Sequence, residues 1–192
     1  MPDTGAPWNI PYVESVDLVS DWPADSLLVA NAVAAGLSAA GNAGIGSNVV
    51  SAAKLDAFTT SSATDVDITG LNVNITPSSA TSKVLVLVQL TADARGTVVS
   101  AIQLRRDSTD ILVSTDGSTN NATLAAGFFR NVAFGDSHQT YTFSFLDSPA
   151  TTSVVNYTVR IRTDSSGTWY VNRTSNNANG GTSTITAIEV AA

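Results

Sequence analysis

The chain has no cysteine, one histidine and one methionine. Without cysteine neither a disulfide nor a thiolate metal site holds the fold, so stability rests on packing and association. Charge is scarce as well: 13% of the 192 residues are Asp, Glu, Lys or Arg. The formal net charge is −7, which repels phosphate backbones and removes nucleic acid from the expected partners. No apolar run reaches membrane-spanning length, and Met1-Pro-Asp-Thr4 lacks the basic start and apolar stretch of a secretory signal. Synthesis in the cytoplasm, without membrane insertion, is the expectation.

Against these absences stand 43% apolar residues, enough for the core of one domain with an appendage. Ser, Thr, Asn, Gly and Ala fill most of the remainder, a balance that favours strands and turns over exposed helices. The acidity is uneven. Residues 1–50 hold five acids (Asp3, Glu14, Asp17, Asp21, Asp25) and no Lys or Arg, a charge of −5; residues 51–192 hold eleven acids and nine bases, a charge of −2. Three parts follow: 1–40 as an arm and helix, 41–50 as a Gly-rich linker, and 51–192 as a β-domain.

The arm carries Pro2, Pro7, Pro11 and Pro23 among Trp8, Ile10, Tyr12, Val13 and Trp22. Proline forbids regular helix or central strand there, and large apolar groups on an extended peptide suit a groove on another molecule, with Trp8, Ile10, Tyr12 and Trp22 as anchors. Packing on the chain's own β-domain is the alternative. Asp21 then caps a short α-helix with Pro23 in its first turn, and Val29, Val33 and Leu37 line a narrow stripe suited to docking or self-association. Gly36 and Gly41 weaken its end, and Gly41-Asn-Ala-Gly-Ile-Gly46 reads as linker. They follow a helix and precede none, so they are a hinge and not a dinucleotide loop.

Ser82-Lys-Val-Leu-Val-Leu-Val-Gln-Leu90 organises the rest. Its length suits a strand, and apolar residues on both parities predict a central strand covered on both faces. Val66 and Ile68, then Leu71, Val73 and Ile75, alternate with polar residues; so do Tyr141, Phe143 and Phe145, and Val155, Tyr157, Val159 and Ile161. The return at Asp107-Ser-Thr-Asp110 predicts a hairpin, and Thr182–Val190 a last strand. Nine or ten strands in about 140 residues predict an all-β fold, an antiparallel jelly-roll-type β-sandwich.

Candidate chemistry is thin. Asp136, Ser137 and His138 are adjacent loop residues, unable to point at one another as nucleophile, base and orienter. Asp65 with Asp67 and Asp107 with Asp110 are the carboxylate pairs, read as solvated acids; a calcium site at the second turn lacks dense oxygen spacing. The Asn-x-Thr sequons at Asn74, Asn121, Asn156 and Asn172 are expected by chance in a chain this rich in both residues. Trp169, Tyr170, Arg173, Asn176 and Asn177 form a possible sugar-stacking surface, weighed against ordinary core aromatics, and Arg105, Arg106, Arg160 and Arg162 are possible binders of acidic groups. No catalytic residue, cofactor or metal is expected.

Gly5-Ala-Pro-Trp-Asn-Ile-Pro-Tyr-Val13, Asp17-Leu-Val-Ser-Asp-Trp-Pro-Ala24 and Leu28–Leu37 resemble the N-terminal segment of minor tail and other virion-surface proteins of tailed phages, especially those of actinobacteria. Gly70–Pro77, Ser82–Val88, Leu146-Asp-Ser-Pro149 and Ser183–Val190 are similar to phage fibre-head domains with a trimeric, C1q- or TNF-like jelly roll. The resemblance implies a non-enzymatic virion protein made in the host cytoplasm. It also implies other virion proteins as partners, a homotrimer, and a head that contacts a host-surface glycan. Capsid decoration or a head fibre is the alternative placement. A polysaccharide or cell-wall hydrolase on a β-scaffold is the alternative of another class.

Overall fold

A computed structural model describes residues 22–42, 45–95, 99–113, 128–130, 138–163, 167–176 and 180–191. The chain divides into two compact units, Met1–Gly44 and Ile45–Ala192. The first contains α1 (Trp22–Asn42). That helix passes through Gly36 and Gly41 and reaches into the stretch read as linker; alanine-rich neighbours offset the glycines' propensity cost of about 1 kcal/mol each. Among the described residues no helix is long and apolar enough to cross a membrane.

The second unit is all-β. Its strands are β1 (Ile45–Lys54), β2 (Phe58–Thr60), β3 (Val66–Ile75), β4 (Lys83–Arg95), β5 (Val99–Arg106), β6 (Thr109–Ile111), β7 (Phe128–Arg130), β8 (Gln139–Asp147), β9 (Val155–Thr163), β10 (Thr168–Val171) and β11 (Ser183–Val190). All pairings are antiparallel: β1-β11-β4-β10-β2 with β8 also on β4 make one sheet, and β3-β9-β5-β6 with β7 also on β5 make the other. The longer run β1-β11-β4-β8 faces β3-β9-β5-β7, the alternating strand order of a jelly roll.

β1 starts inside the stretch read as linker. Val49 and Val50 pair with Ile188 and Ala187, and ladder hydrogen bonds along a half-apolar strand outweigh the glycine content of residues 41–46. β4 is central, as expected, but its cover is one-sided over most of its length. Val84, Val86, Val88 and Leu90 are buried while Leu85, Leu87 and Gln89 are not; only at residues 90–94 are both parities buried. The apolar residues on the outer side therefore remain to be accounted for.

β3 joins two alternating runs whose parity differs, Val66/Ile68 and Leu71/Val73/Ile75. A register shift between Asp67 and Asn72 absorbs the change, and Gly70 takes φ 82° there, a conformation that favours glycine. The core is built from these strands, with Ile68, Leu71, Leu90, Ile102, Leu104, Tyr157, Ile161, Trp169 and Ile185 closed to solvent. Each such side chain contributes roughly 1.5–3 kcal/mol of transfer free energy.

One polar lock ties the two sheets together, and a second ties β11 to β1 and to the connection between β3 and β4. Asp147 of β8, nearly buried, accepts two bonds from Arg106 Nη1 of β5 (2.9 and 2.8 Å) and one from the Tyr157 hydroxyl of β9 (2.7 Å). Burial, then this bond to a carboxylate, pushes the Tyr157 phenol well above the usual tyrosine range. Glu189 of β11, fully buried, accepts from Ser78 N (2.7 Å), Ser78 Oγ (2.6 Å) and Asn48 Nδ2 (3.2 Å). Burial works to raise this carboxyl, but the bonds from Ser78 and Asn48 outweigh it and hold the group below the usual glutamate range.

A folded-state value below the unfolded one means that the unfolded chain takes up the proton first. The stabilisation by Glu189 is thus complete above the ordinary glutamate value of about 4.3 and is lost as the pH falls through the lowered folded value. Urea midpoints measured between pH 7 and pH 3 should therefore decline at the acid end. Glu189→Gln should be less stable at pH 7 and lose that part of the decline; a variant with the parent's acid slope would contradict the assignment.

Candidate functional site

The exposed side of the β1-β11-β4-β8 sheet is built in rows set by strand register. Val49, Ile188, Leu85 and Leu146 lie side by side across all four strands, followed by Ser51, Thr186, Leu87 and Ser144, then by Ala53, Thr184, Gln89 and Thr142. No charged residue occurs in these twelve positions. Val49 is 51% exposed, Leu146 45% and Leu87 39%, and a shallow depression of about 490 Å3 runs between Leu87, Gln89, Thr142, Ser144 and Thr186. On the other side of β8, Phe143 and Phe145 are only half-buried. Among the described residues β8 pairs with β4 alone. An uncharged apolar row beside a long open edge is the kind of surface that proteins cover. The sequence signal for it was the second parity of the Ser82–Leu90 run.

Register also separates the ends of the sandwich. Ile45 pairs with Val190 at one end of the β1–β11 ladder, and Lys54 with Ser183 at the other. A ten-residue strand is about 30 Å long, so the chain enters the sandwich far from the Lys54–Ser183 end. That distal end is held by Asn172. Its Nδ2 donates to the carbonyls of Lys54 (2.8 Å) and Asp56 (3.1 Å), its Oδ1 accepts from Ser183 Oγ (2.6 Å), and its N donates to Thr91 O (2.9 Å). Asn172 is buried at φ 58°, which asparagine tolerates better than most residues. Gly181 completes the corner, because a Cβ there would meet Thr91 Cγ2 at 2.6 Å. The amide of Asn172, one of the four sequons, is thus wholly engaged in the fold.

The sequence-predicted ligand residues divide at this end. Trp169 is 0% exposed, packs edge-on against Tyr141 at 5.8 Å and donates from Nε1 to Arg162 O (2.9 Å). It is a core residue of the isolated chain, and the reading of it as ligand surface is corrected: strand alternation sends Trp169 inward and Tyr170 outward. Tyr170 is half-buried with the Arg173 guanidinium 5.2 Å from its ring centre, and Arg173 Nη2 donates to Thr59 Oγ1 (2.7 Å). Asn176 is exposed; Asn177 lies outside the described residues. Burial, with the Asp93 charge second, pushes the Tyr141 phenol up to about 12.

In α1, Val29 is half-buried and Val33 exposed, as are Leu27 and Leu28 at 61% and 55%; spacing alone had not singled out the last two. Trp8, Ile10 and Tyr12 lie outside the described residues, as do the side chains of Trp22 and Leu37. Asp136 is outside them too. The paired carboxylates are not simply solvated: Asp67 Oδ1 is 2.9 Å from Arg160 Nε, Asp110 Oδ1 3.6 Å from Arg160 Nη1, and Asp65 Oδ1 3.8 Å from Arg162 Nε. Asp107 accepts from Asn156 N at 2.9 Å. These contacts hold the acids in ion pairs and a turn. Among the described residues no group of three or more His, Asp or Glu side chains is placed to hold a metal.

No family model matches the chain, and no curated protein matches it. Similar solved structures include a chain of the T=1 particles derived from infectious bursal virus, at 14% identity and a TM-score of 0.38 over 75% of this chain. Infectious bursal disease virus Gx strain gives 17% and 0.34 over 74%, and a VP2 subviral particle of that virus 12% and 0.33 over 73%. The chain spans 36%, 37% and 40% of those three chains.

Proposed function

We propose that the protein is a structural component of a tailed-phage virion: residues 1–40 dock on the particle, three copies of the sandwich associate, and the distal end is displayed. The observation that carries this reading is the uncharged row Val49–Ile188–Leu85–Leu146. In a chain of net charge −7, like copies approach with least repulsion through rows that carry no acid, with Lys83 one row beyond them on the same side, whereas a basic partner would be recognised by acids these rows lack. The order of three comes from the resemblance to C1q- and TNF-like fibre heads. The acidic segment with Trp8, Ile10, Tyr12 and Trp22 supplies the docking arm, continued by Val29, Val33 and Leu37. Tyr170, Arg173 and Asn176, at the end away from Ile45, supply together with Asn177 a surface for a host glycan.

Deleting residues 1–40 tests the arm. The truncated chain should remain folded by circular dichroism and be missing from purified particles; particles that still contain it would refute docking through this segment. Copy number of the full chain on a quantitative gel separates the placements within the reading. A few copies per particle assign the protein to the tail, and hundreds assign it to the shell.

A further inference from the structure

The outward positions of the β1-β11-β4-β8 sheet are not chemically uniform. The first row, Val49, Ile188, Leu85 and Leu146, is wholly apolar. The next two set Ser51, Thr186 and Ser144 around Leu87, then Thr184, Gln89 and Thr142 beside Ala53. Successive rows lie two residues apart, a step of about 7 Å along the strands, and the change of character takes place within one step. The shallow depression of about 490 Å3 sits over the polar rows and takes no residue from the first: Leu87, Gln89, Thr142, Ser144, Thr184 and Thr186 supply its side chains. Its volume falls within the range of about 300–1,000 Å3 that small ligands occupy.

The polar groups there are within a ligand's reach. Gln89, Thr142 and Ser144 are exposed, and Thr184 and Thr186 are half-buried. Thr186 Oγ1 lies 2.9 Å from Ser51 Oγ, whereas the side chains of Gln89, Thr142, Ser144 and Thr184 make no hydrogen bond to any described residue. Leu87, 39% exposed, is the one apolar side chain among the six. The backbone beneath is already committed, because β4 pairs with β11 on one side and with β8 on the other; an added strand finds no groups to bond. What remains is an amide and four hydroxyls around one leucine, without charge. An apolar partner suits this set poorly, since each hydroxyl covered without a hydrogen bond carries its full desolvation penalty. The apolar first row is the better contact between copies. A carboxylate finds no counter-charge in the depression and is repelled by a chain of net charge −7.

We propose that this depression binds a neutral sugar, at a site separate from the Tyr170–Arg173 surface and independent of association between copies. The apolar face of the sugar ring lies on Leu87. The Gln89 amide, donor and acceptor at once, and the hydroxyls of Thr142, Ser144 and Thr184, each able to donate or accept, pair with the ring hydroxyls. The site draws on three adjacent strands, β11, β4 and β8, whose spacing of about 5 Å sets neighbouring side chains against successive hydroxyls of one ring. All three strands are held in ladders, so the side chains are positioned before the ligand arrives and little order is lost on binding.

The full-length protein is titrated with the methyl glycosides of glucose, galactose, mannose and N-acetylglucosamine while the Gln89 side-chain NH2 signal is followed by 1H–15N NMR. Glycerol and sodium glucuronate are run in parallel. At least one neutral glycoside should shift this signal to saturation with a dissociation constant of about 1 mM, glucuronate should bind about tenfold more weakly, and glycerol should not saturate. Thr142→Val with Ser144→Ala should weaken the glycoside by about tenfold at an unchanged melting temperature, and Thr184→Val carries the test should that pair fail to fold. Leu146→Asp and Tyr170→Ala should bind as the parent does. A parent that sediments as a monomer and still binds the glycoside would sink the assembly reading and support this one. No saturation by any of the four, equal binding of glycerol or glucuronate, an affinity indifferent to the variants in the depression, or loss of binding in Leu146→Asp or Tyr170→Ala would overturn the proposal.

Discussion

Trp169→Ala should lower the stability of the sandwich by about 3–5 kcal/mol, the cost of emptying a large aromatic site in a packed core. At about 2–4 °C per kcal/mol for a chain of this size, the melting temperature falls by roughly 6–20 °C. The indole has no exposed surface, stands edge-on to Tyr141 and donates its N–H to the Arg162 carbonyl. Truncation therefore removes buried area, an aromatic pair and a satisfied donor together. Trp169→Phe keeps most of the volume and should cost less than half as much. The neighbouring Tyr170→Ala, on the outward parity, should cost under about 1 kcal/mol. Calorimetric melting of the three variants decides the matter: a Trp169→Ala protein as stable as its parent would mean that the ring belongs to the surface.

Leu146→Asp should turn the associated protein into monomers. A carboxylate in each copy's contact face leaves several buried or facing negative charges, and like-charge juxtaposition costs several kcal/mol, a hundredfold or more in dissociation constant. The isolated sandwich should barely notice, because Leu146 is 45% exposed and lies on the outer side of β8. Sedimentation at micromolar concentration should give the mass of three 19.8 kDa chains for the parent and of one for the variant. Asn72→Asp, exposed on the other sheet, is the control and should leave the mass unchanged. A parent that sediments as a monomer, or a Leu146→Asp variant that keeps the parent's mass, would defeat the assembly reading.

The β-sandwich was legible in the sequence because its strands alternate: Tyr141, Phe143 and Phe145, or Val155 through Ile161, announce a face by period two. Where the period failed, so did the reading. Ser82–Leu90 is apolar on both parities, from which cover on both faces is expected, yet the chain itself covers one face over most of the run. A second layer of the same chain and a second chain leave the same pattern. The joined strand Val66–Ile75 was hidden by its change of parity, and only Gly70 marked the bulge. The stretch from Ile45 to Val50 reads as hinge by its glycines, and its pairing with β11, more than 130 residues away, has no local signature.

Of the candidate sites, the acids and arginines were visible as residue types but not as partners. Arg106 and Arg105 are adjacent, yet alternation turns one toward Asp147 across the sandwich and the other outward beside Gln103. Sequence spacing could not divide them, because it does not reveal which strand lies opposite. Trp169 and Tyr170 were grouped for the same reason. Asp147 and Glu189, the two buried acids that accept several bonds each, look in the sequence like any solvated carboxylate, since donors to them come from residues 41 and 111 positions away.

The register of β1 against β11 has a mechanical consequence. Tension applied at Ile45 and resisted at the distal tip runs lengthwise along β1, so the rungs from Val49–Ile188 to Lys54–Ser183 are loaded in shear, all at once, instead of peeling one after another. A domain loaded in this way yields only when the whole ladder slips.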